Sequence, residues 1–343
     1  MLTSKKLIVR LLIAAGVLLA VMMVCLLVGS ETLSLTKILQ GPNDDVPNVD
    51  FEIFLYVRLP RVFLACIVGA ALACSGVVFQ AILRNPLADP YILGISSGAG
   101  LGTMVAVFFG WTIETGLWGF SPIMACAFSG AMLTIWLVWT IGRVTGRQHV
   151  TGLLLAGVVV NAFFSAMIMF FSSILKASEL QSVIFSLMGN FKEFDCVLPL
   201  MASAFIVLSG IIILILLSNQ LNILSFGTED AQSLGVSVER TTLVSFACAA
   251  LITSIAVSLS GLIGFVGLLV PHGVRLVAGP DHRQLLPLSA IIGAAFLVAA
   301  DAAARIAVAN EMLPVGVVTA LAGGPFFLIL LIRYTKRIHW GQA

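Results

Sequence analysis

The chain has 343 residues, 60% of them hydrophobic and only 10% charged, with a formal net charge of +2 and a mean hydropathy of +1.11. A soluble domain carries roughly 25% charged residues because its surface faces water. That excludes an ordinary soluble domain, and the near-neutral charge offers no basic surface for nucleic acid.

Lys5, Lys6 and Arg10 precede an apolar run from Leu11 to Val28. Charge followed by an apolar run is also the order of a secretory signal. This run is long and lacks a small-x-small cleavage pattern, so it reads as a retained first membrane helix. Apolar runs of about 18 or more residues then recur, each long enough to cross a hydrocarbon core of roughly 30 Å. The predicted spans are 7–28, 60–82, 92–110, 120–142, 150–174, 196–217, 241–259, 262–278, 287–307 and 314–332. The eighth is short, rich in glycine (Gly261, Gly264, Gly267) and carries Pro271, which membrane helices tolerate when neighbours cover the exposed backbone. The fold class is therefore all-α: one polytopic membrane domain over 1–343 with about ten transmembrane helices.

Basic residues set the expected orientation. With both termini cytoplasmic, the outer side holds six of the 18 basic residues (Lys37, Arg58, Arg61, Lys176, Lys192, Arg305) and the inner side the other twelve. Acids lean outward, among them Glu31, Asp44, Asp45, Glu114, Glu193, Asp195 and Glu311. The longest loops, 29–57, 175–195 and 218–240, are too short for a nucleotide-binding domain, and no GxxxxGK[ST] phosphate loop occurs. A chain of buried carboxylates and histidines, as proton-driven carriers use, is also missing. Only Asp301 and Glu311 approach span interiors, so any pumping draws its energy from elsewhere.

Six cysteines (Cys25, Cys66, Cys74, Cys126, Cys196, Cys248) stand singly in apolar runs, which points to small buried hydrophobes rather than a disulfide or zinc framework. His272, beside Pro271, has no partner in the local sequence and reads as structural; His149, His282 and His339 read as solvated. Gly94, Gly98 and Gly102, and likewise Gly316, Ala320 and Gly324, form small-residue stripes at i, i+4, i+8. Such stripes let helix backbones approach closely in lipid. They fit packing within the chain, or a subunit interface.

Three stretches depart from plain membrane spans. RLPR (58–61) leads into a helix that stops at NPLADP (85–90), a turn whose prolines keep either flanking helix from running on. LSFGTEDAQSLGVSVER (224–240) is polar, with Gly235 as a helix terminator. GFVGLLVPHGVRL (264–276) and LPVGVVTALAGGPFF (313–327) complete the set. In order and spacing these resemble the FecCD family, the permeases of type II ABC importers for siderophores, haem and cobalamin.

The resemblance implies a ten-helix permease of the inner membrane that pairs with a second copy or a paralogue. Two ABC ATPase subunits dock below it, and a periplasmic or lipoprotein substrate-binding protein docks above. ATP and Mg would sit on the ATPase, leaving this chain non-catalytic and without a cofactor of its own. Glu229, Asp230, Ala231, Gln232, Ser233, Leu234, Gly235 and Val236 match the helix that couples permease to ATPase. Arg58, Arg61 and Arg305 match arginines that receive glutamates of the binding protein, and are expected to stand exposed at the outer mouth. Asp301, one helical turn from Arg305, offers an internal partner instead. Asn85 and Leu87, with Val150 and Thr151, match the cytoplasmic gate, Val150 replacing a more usual small polar residue. A ferric siderophore or haem is the expected substrate, with cobalamin next. Two other readings are disfavoured: a stand-alone secondary carrier, for want of buried ionisable residues, and a membrane-embedded enzyme, for want of a nucleophile–base pair.

Overall fold

The computed structural model describes residues 4–29, 33–42, 48–111, 121–144, 149–191, 197–308 and 313–340. Glu31, Asp44, Asp45, Glu114, Lys192, Glu193, Asp195, Cys196 and Glu311 lie outside the described residues, as do the side chains of His149, Val150 and His339. Ten helices are long or apolar enough to serve as spans: α1 (Ser4–Leu27), α2 (Leu59–Ile82), α3 (Ile95–Phe108), α4 (Pro122–Val144), α5 (His149–Ile174), α6 (Val197–Leu216), α7 (Val238–Ser260), α8 (Val266–Ala278), α9 (His282–Ile306) and α10 (Val315–Trp340). Seven have the length and apolarity to cross a bilayer; α3, α8 and the apolar part of α10, Val315–Ile329, are shorter. Each predicted span falls on one of them, and the chain is a multi-pass membrane protein.

Three boundaries differ from expectation, one of them the end of α10, which runs to Trp340 rather than 332. The eighth helix begins only at Val266, because Gly261 takes a φ of +68° and Phe265 also sits at +68°, values no right-handed helix accommodates. The ninth begins at His282 rather than Pro287. Its N-cap is Asp281, whose carboxylate accepts from the Arg283 amide, and the proline is carried inside the helix.

The bundle is built around α2, nineteen of whose 24 residues are buried. It packs against α9, α7, α8, α6 and α1. Upstream it continues through a widened π-type segment, Ile53–Arg58, and the turn Val49–Glu52. Pro60, in the first turn of α2, supplies no amide there.

Close contacts rest on glycine. A Cβ on Gly69 would stand 2.3 Å from the Gly293 carbonyl oxygen, and one on Gly76 would stand 1.9 Å from that of Gly267. These contacts set α2 directly against α9 and α8. Gly98 and Gly102 do the same for α3 against α4, facing Gly130 and Cys126. The first predicted stripe is thus internal packing. In the second, Gly316 meets the Met188 and Leu262 carbonyls, whereas Gly324 faces open space.

Gly76→Ala is expected to lower thermal stability in detergent, because two backbones must separate; overpacked cores lose about 1–3 kcal/mol. Gly16→Ala, with nothing within 4 Å of the new methyl, should leave the melting curve in place. Equal curves for the two variants would contradict the close-contact reading.

Candidate functional site

The buried ionisable side chains gather at the two ends of the bundle. At one end α1 and α9 finish and α2 begins. Asp301 is 1% exposed, and its carboxylate receives Arg61 Nε at 3.0 Å and stands 3.1 Å from Arg305 Nε. Arg305 Nη2 donates to the Cys25 carbonyl at 3.0 Å, and Arg58 Nη1 to those of Leu26 and Leu27 at 2.9 and 2.8 Å. Those carbonyls are the last of α1, which no intrahelical amide can satisfy, and cations favour that end of a helix dipole. Gly29 leaves room for the guanidinium, since a Cβ there would meet Arg58 Nη2 at 2.7 Å.

The expectation that the three arginines stand exposed is therefore corrected. Arg58, Arg61 and Arg305 are 5%, 8% and 5% exposed. The reason is physical: a guanidinium near lipid is stable only where a carboxylate and carbonyls replace water. Asp301 and the end of α1 supply both.

At the opposite end, α1 starts and α9 begins. Arg10 Nη1 donates to the Ala278 carbonyl at 2.9 Å and to Gln284 Oε1 at 2.6 Å. Arg275 reaches Gln80 Oε1 at 2.9 Å, joining α8 to the end of α2. Arg143 of α4 pairs with Glu239 at the start of α7.

The short helix Ser218–Leu224 follows α6, and its Asn222 takes hold of the start of α9. The Asn222 Oδ1 accepts from the His282 amide at 2.8 Å and lies 2.7 Å from the ring Nδ1, while Nδ2 donates to Asp281 Oδ1 at 2.8 Å. His282, expected to be solvated, is 5% exposed. The Arg283 guanidinium, hydrogen-bonded to Asp281, holds that carboxyl well below its usual range, at about 2.

The segment 229–236, expected from the resemblance to couple to an ATPase, sits at this same end. Thr228–Ser233 is a short helix anchored by buried Ala231. Gly235, at φ +79°, ends it as predicted. Glu229, Asp230, Gln232 and Ser233 are exposed, and Val236 is half-buried. Leu234 is 65% exposed and Phe226 78%, an apolar pair on an otherwise polar surface.

In the turn between α2 and α3, Asn85 Oδ1 accepts from the Leu87 amide at 3.0 Å, so the carboxamide shapes the turn. Leu87 is half-buried, and Thr151 at the start of α5 is exposed. Asp89 accepts from the Tyr91 amide at 2.9 Å. Burial pushes its carboxyl up to about 6, against that hydrogen bond. The His272 ring meets Phe326 edge-on at 6.0 Å. Among the described residues, no group of three or more His, Cys, Asp or Glu could hold a metal ion.

Sequence reasoning missed the Asn222 and Arg10 contacts, since their partners are 59 to 274 positions away. The one local signal was Asp281, a helix-capping residue type ahead of an apolar run.

Residues 17–333 match the FecCD transport family. The chain belongs to that family. FecCD relatives include the cobalamin import system permease of Halobacterium salinarum, 43% identical over 291 residues, covering 83% of this chain and 75% of the relative. The hemin transport system permease of Yersinia pestis is 39% identical over 295 residues, covering 86% and 87%. A solved structure titled as an inward-facing conformation of a metal-chelate type ABC transporter has a TM-score of 0.81 at 32% identity, covering 94% of this chain and 98% of that one. This FecCD chain is accordingly a transport protein with the fold of an ABC importer permease.

Asp301→Ala removes the carboxylate shared by the buried Arg61 and Arg305 guanidinium groups. Removing one partner of a buried ionic cluster costs about 3–5 kcal/mol, so the variant is expected to give little folded protein in the membrane and a sharply lowered melting temperature. Native yield and melting would show that the cluster is dispensable.

Proposed function

We propose that the chain is the membrane-spanning subunit of an ABC importer that moves an iron chelate, a ferric siderophore or haem, across the inner membrane. The observation that carries the energetic part is the exposed apolar pair Phe226 and Leu234 flanking the polar helix Thr228–Ser233. Solvent-exposed apolar side chains on a membrane protein's polar end mark a protein contact, and an ATPase of the ABC class is the partner assigned here. ATP and Mg are bound and spent on that subunit, and a second permease copy or a paralogue completes the pathway. Cobalamin is the second reading, supported by the similarity to the cobalamin permease of Halobacterium salinarum.

The coupling end is assigned to the cytoplasm, with both termini on that side, on the twelve-to-six distribution of basic residues. The Asp301 end then faces the substrate-binding protein. Arg58, Arg61 and Arg305 are assigned to that docking face, where guanidinium groups suit an acidic partner surface. The cytoplasmic gate is assigned to the Asn85–Leu87 turn together with Val150 and Thr151 at the start of α5.

The test is reconstitution in liposomes with the ATPase and binding protein encoded beside this chain, using ferrichrome, haemin and cyanocobalamin as probes. Uptake of ferrichrome or haemin should require ATP, and Leu234→Asp should reduce it by about tenfold, equivalent to ~1.4 kcal/mol of docking. ATP-independent uptake by the chain alone would replace this reading with a secondary carrier, and uptake of cyanocobalamin only would establish the second reading.

Orientation is checked separately. In a background without native cysteines, Asp45→Cys should react with a membrane-impermeant thiol reagent in intact cells and Ser233→Cys should not. The reverse pattern inverts the topology.

A further inference from the structure

Asn222 lies between the coupling segment and the bundle. Its helix, Ser218–Leu224, ends just ahead of exposed Phe226 and the Thr228–Ser233 helix. Its neighbours Leu221 and Leu224 are buried apolar contacts, which resist compression but hold little against sliding, because dispersion has no direction. Its carboxamide does have direction. Three polar atoms of Asp281 and His282 meet it at 2.7–2.8 Å, and those two residues are the N-cap and first residue of α9. Asp281 is itself clamped by the Arg283 amide and guanidinium, so the junction is braced from both sides.

What Asn222 holds is a continuous rod. α9 runs without a break from His282 to Ile306, and sixteen of its 25 residues are buried. It touches α2 backbone to backbone at Gly69–Gly293. From His282 to Asp301 an α-helix spans roughly 28 Å, about the thickness of a bilayer's hydrocarbon core. At its far end Asp301 and Arg305 grip Arg61 of α2 and the last turn of α1. One rigid element is thus fastened by directional polar contacts at both faces.

We propose that Asn222 is a positioning residue for energy coupling: it transmits displacement of the Thr228–Ser233 segment to the start of α9, and α9 carries that displacement to the Asp301 cluster. This rests on the ABC-permease reading above. Packed helices shift as rigid bodies, so a joint that resists sliding decides whether the rod follows the segment.

The experiment uses the assembled transporter in lipid nanodiscs, with spin labels on Ile306→Cys at the end of α9 and Phe109→Cys at the end of α3, native cysteines replaced. ATP hydrolysis and the interlabel distance, with and without ATP plus vanadate, are read together. In the unsubstituted complex the distance should shift on nucleotide trapping. Asn222→Ala should keep the native hydrolysis rate and lose the shift. Asn222→Asp alone, which sets two carboxylates against each other, should lose it too. Combining Asn222→Asp with Asp281→Asn restores a carboxylate–carboxamide pair and should bring the shift back; a merely structural role would lower assembly and hydrolysis along with the shift in the single variants.

A full shift in Asn222→Ala, no shift in the unsubstituted complex, or failure of the exchanged pair to rescue, overturns the proposal. If Asn222→Ala does not assemble, Asn222→Asp and the exchanged pair decide by the same criterion. Failure of the unsubstituted chain to bind any ABC ATPase defeats the functional reading instead.

Discussion

The buried Asp301 carboxylate joins two buried guanidinium groups, and the architecture at that end of the bundle depends on it. Arg61 belongs to the central helix α2 and Arg305 to α9, so their common partner fixes the two most intimately packed helices in register. The second arm of Arg305 and all of Arg58 turn to the end of α1. That helix is otherwise lightly buried: of its described residues only Ala14, Cys25 and Leu26 are buried. Apolar contact cannot hold such a helix, because lipid tails solvate its surface as well as protein does. Hydrogen bonds to its unsatisfied terminal carbonyls do what packing alone does not. Arg10 repeats the device at the other end, on the Ala278 carbonyl and Gln284.

Between those polar ends the interior is held by contact distance. Gly69 on Gly293, Gly76 on Gly267 and Gly98 on Gly130 bring backbone against backbone, where dispersion contacts are dense and carbonyl groups lie close to Cα hydrogens. The same economy explains the break before α8. Gly189, Gly261 and Gly316 cross so tightly that a Cβ on any of them would meet a neighbouring carbonyl oxygen within 2.4 Å. This crossing packs the non-helical segment Gly261–Phe265 against protein, as an interrupted backbone at membrane depth requires. The Gly316 amide, donating to the Gly189 carbonyl at 3.1 Å, ties the crossing together.

The sequence made the spans legible because hydropathy over about 20 residues is a local property, and all ten predicted spans fall on helices. Gly235 as a terminator and the proline-bounded turn after α2 were legible for the same reason. The start of α8 was not, since it turns on a positive φ at Phe265, a residue type that rarely adopts one. Nor was the burial of the three arginines. Arg61 and Asp301 are 240 positions apart, and charge counting along a chain assigns such residues to a surface by default. His282 was misplaced similarly: next to a loop, it reads as solvated until Asn222, 60 positions away, is seen to cover it. Polar residues at span ends are thus legible in the sequence as lying at an end, and their partners only in the structure.

This division bears on how a displacement would travel through the bundle. A bundle whose middle is close-packed through glycine deforms little, and small displacements at one end travel as rigid-body shifts. Force must then enter where side chains protrude and leave where polar contacts can exchange partners. Phe226 and Leu234 protrude at one end. At the other, Arg61 and Arg305 share one carboxylate, an arrangement in which either guanidinium can strengthen its hold as the other loosens. Neither charge is then fully stranded in a low-dielectric setting, where an unpaired ion is most unfavourable. A shared acceptor near the end of α9 therefore gathers α1, α2 and α9 at one polar junction, where separate ion pairs would join the helices only two at a time.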